Sequence, residues 1–202
     1  MIGIIDYGAG NIGSILNMFK KVGHKSFIIK SLEDFDKATK LVLPGVGSFD
    51  YGMNNLEKLG LIEKLHKEVN INKKPILGIC LGMHLMTNSS EEGSKNGLGF
   101  INAITKKFLP LEKSQKIPHM GWNNINIMKN NNLTNNLFEQ NKFYFVHSYY
   151  VECLDKNDIL FETRYINNFV SAFAKDNIYG VQFHPEKSHK YGMQLFKNFG
   201  EI

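Results

Sequence analysis

The stretch from Pro75 to Met86 constrains the fold more than any other, because a short apolar run passes into a helical pattern through a cysteine flanked by glycines. Ile76, Leu77 and Ile79 read as a buried strand, Leu81 to Met86 as the start of a helix, and Cys80 stands at the corner. Gly78 and Gly82 leave room on either side of that corner. A strand, a tight turn and a helix with a reactive side chain at the turn form a nucleophile elbow, here with sulfur in place of a serine oxygen. A cysteine at a helix N-terminus meets the positive end of the peptide dipoles, which favours the reactive thiolate. The competing reading of any lone cysteine is a small apolar residue packed beneath a helix. This segment alone leaves both readings open.

A fully apolar strand of this kind suits a parallel sheet, and the flanking sequence supplies more of one. Ile2 to Ile5 reads as a strand and Gly8 to Gly13 as a glycine loop, while Ile12, Ile15, Leu16 and Phe19 predict a helix over Ile12 to Val22. Ser26 to Ile29 and Leu41 to Leu43 are further strands, and Leu56, Leu59, Ile62 and Leu65 predict one helix between Asn54 and Val69. This alternation implies a parallel sheet covered on both faces. After Ser89 the runs are short and β-type: Ile101 to Phe108, Trp122 to Met128, Phe143 to Cys153, Asp158 to Tyr165, Val170 to Ala174 and Tyr179 to Phe183. Tyr191 to Phe199 reads as a closing helix. With 202 residues, 43% of them hydrophobic, the chain suffices for one substantial core, and a single domain over residues 1–202 is expected.

Several classes of function are disfavoured. Met1 to Asp6 lacks a basic leader and resembles a first strand, and no apolar run approaches a membrane span. Two cysteines, Cys80 and Cys153, make no disulfide framework, so a reducing, cytoplasmic setting is expected. The net charge of +5 could suggest nucleic acid, but the lysines are scattered as Lys20-Lys21, Lys73-Lys74 and Lys106-Lys107 among acidic residues. That distribution describes a solvated surface rather than a phosphate-binding stripe, and neither a nucleic-acid nor a membrane partner is expected.

Three segments could carry chemistry beside the elbow. Gly8-Ala9-Gly10-Asn11-Ile12-Gly13 formally matches the dinucleotide fingerprint, yet Asp6 and Tyr7 intervene after the strand, and the second strand ends in Lys30 where a ribose-binding acid belongs. No cofactor is expected. Pro44-Gly45-Val46-Gly47 is a glycine turn directly after a strand; it is either an ordinary turn or a source of N–H donors for an oxyanion. Val181 to Ser188 ends a strand in His184, Pro185 and Glu186. A thiol nucleophile needs a base, and the base needs a group to orient it, roles that His184 and Glu186 can fill if the sheet brings them to Cys80. A His-x-Glu pair also occurs in zinc deaminases, but their downstream pair of cysteines is missing, so no metal site is expected. His24, His66 and His189 lack such company and are expected at the surface.

Gly78-Ile79-Cys80-Leu81-Gly82 together with His184-Pro185-Glu186 resembles the class I glutamine amidotransferases. Within that class, Asp6 to Asn11, Pro44 to Gly47, Pro118 to Asn123, Val146 to Tyr150 and Gln182 to Ser188 are similar to motifs of the glutaminase subunits of imidazole glycerol phosphate synthases. The resemblance implies an α/β, flavodoxin-like fold: a mostly parallel sheet flanked by helices, with additional antiparallel strands in the C-terminal half. It implies hydrolysis of L-glutamine through Cys80, His184 and Glu186, with an oxyanion held by Val46, Gly47 and Leu81. Gly45, His84, Ser148 and Tyr149 would contact the substrate. Asn11, Pro118, Met120, Trp122 and Lys187 would face a (β/α)8-barrel cyclase subunit that receives the ammonia in a heterodimer during histidine biosynthesis. The family usually has glutamine where this chain has His84, and histidine does not reproduce the paired geometry of an amide. Two other readings accompany this one: a paralogue serving another synthase, such as one amidating a sugar for surface polysaccharide, and a catalytically silent binding module.

Overall fold

The computed structural model describes residues 1–110, 112 and 115–202. Four short strands open the fold, β1 (Ile2–Ile5), β2 (Ser26–Ile29), β3 (Lys40–Leu43) and β4 (Ile76–Ile79). They alternate with helices α1 (Ile12–Lys21), α2 (Phe49–Lys58) and α3 (Leu61–His66), and α4 (Leu81–Leu85) follows β4. The second half supplies β5 (Ser89–Ser90), β6 (Ala103–Lys107), β7 (His119–Asn124), β8 (Asn126–Ile127), β9 (Lys142–His147), β10 (Tyr149–Cys153), β11 (Ile159–Arg164), β12 (Asn168–Lys175) and β13 (Ile178–Val181). Helix α5 (His189–Glu201) closes the chain.

The sheet runs β2-β1-β3-β4-β13-β12-β10-β6-β5, with β11 and β8 attached beside β12. From β2 to β13 every pairing is parallel; β13 to β12, β12 to β10 and β10 to β6 are antiparallel. The pleat explains the two cores. Ile5, Leu41, Leu43 and Ile76 point into one cluster, with Phe49 and Met53 of α2, Leu61 of α3, and Leu81 and Met83 of α4. Their neighbours Ile4, Val42 and Leu77 point into the other, with Phe19 of α1 and Leu195, Phe196 and Phe199 of α5. Both faces of the parallel block are thus covered, which accounts for its uninterrupted apolar strands.

Some elements differ from the sequence expectation. The helix expected between Asn54 and Val69 is two helices, because Gly60 adopts a left-handed conformation (φ 66°) that stops α2, and Leu59 there is exposed. Trp122 to Met128 and Phe143 to Cys153 are each divided. β7 leaves the main sheet to pair with β9 alone, whereas β8 joins β11 and β10 joins β6. The elbow helix has only five residues, so its N–H groups act locally rather than as one end of a long dipole.

Candidate active site

The elbow exists because the backbone around Cys80 has no room for side chains. A Cβ on Gly82 would lie 1.8 Å from the carbonyl oxygen of Leu43, and one on Gly78 would lie 2.4 Å from the Met86 sulfur. With hydrogen at both positions, α4 presses against β3 and β4 and the chain turns sharply. Cys80 takes the strain, with φ 52° and ψ −109°, an uncommon conformation for a residue with a side chain. Its N–H donates to Val181 O at 2.8 Å, fixing the corner to the end of β13.

That pairing brings the second segment into place. β13 lies parallel to β4 with Val181 opposite Ile79, so Gln182 and His184 emerge from the same carboxyl edge as the thiol. His184 donates its backbone N–H to Tyr144 O (2.9 Å), and Ser188 Oγ donates to His184 O (2.7 Å). The His184 imidazole donates from Nδ1 to Glu186 Oε1 at 2.8 Å, and both side chains are buried. His184 Nε2 and Glu186 Oε2 are buried without a hydrogen-bond partner. Burial works against the imidazolium, but the thiolate of Cys80 and the carboxylate of Glu186 outweigh it and hold the imidazole pKa up at about 10. A thiol, an imidazole and a carboxylate are therefore assembled in sequence order of function, with the ring kept as a proton carrier.

Cys80 and His184 open into a cavity of about 420 Å³, whose walls include Val46, Gly47, Leu81, His84, Glu92, Pro118, His147, Ser148 and Tyr149. Most of the residues singled out in the sequence as oxyanion or substrate contacts are here. Gly45 does not line the cavity: it lies behind the wall, where a Cβ would come within 2.7 Å of the Leu81 Cβ and 2.5 Å of the Tyr7 hydroxyl. Gly47 has φ 114°, a backbone that only glycine adopts freely, and the turn beside it is braced by the Tyr7 hydroxyl, which donates to Pro44 O.

The interface candidates fall into two groups. Pro118 is exposed and also borders the cavity. Met120 and Trp122 are exposed on β7, Trp122 stacks on His189 at 5.5 Å, and Lys187 lies over the Tyr144 ring at 5.8 Å. Asn11 is exposed at the start of α1, which its side chain caps by accepting from Ser14 N. The glycine loop around it is filled from within, since Tyr51 donates to Gly8 O, Asn55 donates to Tyr7 O, and a Cβ on Gly10 would meet Pro44 at 2.9 Å. His189 is exposed as expected, whereas His24 and His66 are half-buried, His66 with its ring edge against Phe100.

Four residues of the site were not singled out in the sequence. Gln182 is fully buried between His84 and Cys80. Glu92 reaches the cavity from the loop after β5 and accepts from Phe49 N at 3.0 Å; burial raises its pKa above the usual carboxylate range. His119 and His147 form a line with Asn123. His147 Nδ1 donates to Tyr149 O (2.7 Å), its Nε2 accepts from His119 Nδ1 (2.9 Å), and His119 Nε2 accepts from Asn123 Nδ2 (3.2 Å). Burial lowers the pKa of His119 to about 4 and that of His147 well below its usual value, so both are neutral, as this sequence of bonds requires. The sequence marked the motifs Pro118 to Asn123, Val146 to Tyr150 and Gln182 to Ser188, which hold His119, His147 and Gln182, only through resemblance, and nothing marked Glu92. Among the described residues, no group of three or more histidines, cysteines or acids could hold a metal ion.

Comparison with known proteins gives this geometry its family. Residues 3–201 match the model described as glutamine amidotransferase class-I. The chain belongs to the class I glutamine amidotransferases. It is 63% identical to imidazole glycerol phosphate synthase subunit HisH 2 of Methanococcus maripaludis, over 98% of each chain. It is 50% identical to the subunit of the same name from Pseudomonas aeruginosa over the full length of both. A solved glutamine amidotransferase superposes with a TM-score of 0.77 over 100% of this chain and 99% of that one; at 14% identity this likeness concerns the fold. The fold of this amidotransferase is the one its motifs implied, a parallel block extended by antiparallel strands.

Proposed function

We propose that this amidotransferase is the glutamine-hydrolysing subunit of an imidazole glycerol phosphate synthase. The observation that carries the chemistry is the strained Cys80 corner sharing a cavity with the His184–Glu186 pair, bonded at 2.8 Å. Full-length identity of 63% to a protein named as that synthase's subunit supports the assignment of the partner reaction. The thiolate of Cys80 attacks the side-chain carbonyl carbon of L-glutamine, and the oxyanion forms beside the N–H groups of Leu81, Val46 and Gly47. His184 gives its proton to the departing nitrogen, releasing ammonia and leaving a thioester. Water, deprotonated by His184, then cleaves the thioester to glutamate and regenerates the thiol. Glu186 keeps the imidazole oriented throughout.

Glu92 lines the cavity with its carboxylate, so it takes the role of partner to the substrate ammonium, with Ser148 and Tyr149 also holding the glutamine. Ammonia passes to a (β/α)8-barrel cyclase, for which Pro118 at the cavity and the exposed Met120, Trp122 and Lys187 form the docking face. The compartment we infer is the cytoplasm, in keeping with two unpaired cysteines, and no described helix is long and apolar enough to cross a membrane. The chain acts as one domain, supported by a sheet continuous from β2 to β5.

Glutamine hydrolysis is measured with and without the co-purified cyclase, comparing wild type with Cys80→Ala. The expected result is turnover that rises with the cyclase and vanishes in the variant. Activity surviving in Cys80→Ala refutes the mechanism, and turnover that a different synthase stimulates in place of the cyclase refutes the acceptor.

A further inference from the structure

The structure gives the histidine at position 84 a specific partner. His84 Nε2 lies 2.8 Å from Gln182 Oε1, and Gln182 Nε2 lies 3.9 Å from Cys80 Sγ. Gln182 is fully buried, with its backbone N–H donated to Ser171 O at 2.9 Å, so its side chain has a fixed origin between the helix and the thiol. We propose that Gln182 is a positioning residue for the Cys80 thiolate, donating an amide N–H to the sulfur, and that His84 sets the direction of that amide.

The argument rests on which end of an amide faces which neighbour. A primary amide has an acceptor end and a donor end, and turning it over exchanges them. With Oε1 toward His84 and Nε2 toward Cys80, the sulfur receives a donor, which favours the thiolate. The reverse orientation would aim oxygen lone pairs at a thiolate. What selects between the two is the hydrogen on His84 Nε2. A ring protonated at Nε2 donates to Oε1 and locks the favourable direction, whereas the tautomer protonated at Nδ1 would accept there and reverse it; the 2.8 Å contact to Oε1 corresponds to the Nε2 proton. The role of His84 is thus exerted through Gln182, although its ring also borders the cavity. Glutamine at position 84 retains an N–H donor for Oε1; leucine retains none.

This inference rests on Cys80 being the nucleophile, and its test needs no glutamine. The full-length chain is alkylated with iodoacetamide across a pH series, and the rate at the Cys80 peptide is followed by mass spectrometry. Cys153 is resolved as a separate peptide and stays silent, its thiol pushed up to about 12 by burial first, with nearby acids adding to it. In Gln182→Met the midpoint of the Cys80 profile rises by about one pH unit, the size expected for losing one hydrogen bond to a charged group. His84→Leu produces a shift of the same sign, and His84→Gln restores the wild-type midpoint. A wild-type midpoint in folded Gln182→Met overturns the proposal. If Gln182→Met does not fold, the pair at position 84 carries the test: equal midpoints for leucine and glutamine overturn it. Loss of hydrolysis in Cys80→Ala with an unchanged Gln182→Met profile would leave the mechanism standing and remove only this positioning role.

Discussion

Replacing His84 with glutamine should change how stability responds to acid. The folded-state pKa of His84 is lowered by burial from 6.5 to about 4, only partly offset by the bond to Gln182. The unfolded chain therefore binds a proton between these values that the native chain refuses. A depressed histidine of this kind contributes fully above pH 6.5 and loses its contribution as the pH falls toward 4. At pH 4.5 the unfolded ring is almost entirely charged, and the linkage cost reaches about 2.5 kcal/mol, against about 0.2 kcal/mol at pH 7. His84→Gln removes that proton and keeps a donor for Gln182. The variant should lie within about 1 kcal/mol of wild type at pH 7 and gain on it by about 2 to 3 kcal/mol at pH 4.5. Urea unfolding followed by circular dichroism at the two pH values measures this, provided the dependence on urea is the same for both proteins. The other buried histidines, His119 and His147, are present in both proteins, so the difference between the two reports position 84 together with its charge coupling to His147. Parallel losses on acidification would refute the reasoning.

Gly82→Ala should unfold at least about 5 °C below wild type, since its methyl group would lie 1.8 Å from Leu43 O and α4 must move off β3; Gly13→Ala, with nothing within 4 Å, should be neutral or slightly stabilising in the same thermal melts. Glu186→Gln removes one of the two anions that overcome burial at His184, so an NMR titration of that ring should place its midpoint below the wild-type value of about 10, with hydrolysis reduced. Because a raised imidazole pKa lends stability that is complete below 6.5 and lost as pH rises through 10, the variant should also show a weaker decline in stability across that interval. His119→Phe preserves the stacking surface against Tyr165 but leaves His147 Nε2 without its donor, and should cost about 1 to 3 kcal/mol in chemical denaturation.

The elbow was legible because all of its determinants are local: an apolar run, a cysteine and two glycines within a few residues that permit close approach. The alternation of the first four strands was equally plain, since burial on both faces writes itself into each strand. The apolar period of Leu56, Leu59, Ile62 and Leu65 runs straight across Gly60, so it did not reveal that the left-handed residue there breaks the helix. Strand pairing after Ser89 was hidden because β7, β8 and β10 choose partners by three-dimensional fit with β9, β11 and β6, not by composition. The catalytic candidates could be named from motifs, whereas Gln182 with His84 and His119 with His147 are partners separated by 98 and 28 residues. Each of those side chains alone looks like an ordinary buried polar group. Only the sheet edge makes them neighbours.

The line from Asn123 through His119 and His147 to Tyr149 O resembles a proton wire, but its ends forbid that use. A wire needs a source that can lose a proton and a terminus that can take one and pass it on. An asparagine amide does not readily do the first, and a peptide carbonyl does not do the second. With every hydrogen already pointing the same way, the line has no second arrangement of equal energy. It is a strut: its hydrogen bonds tie the strand bearing Met120 and Trp122 to the backbone at the cavity wall, and it carries no charge.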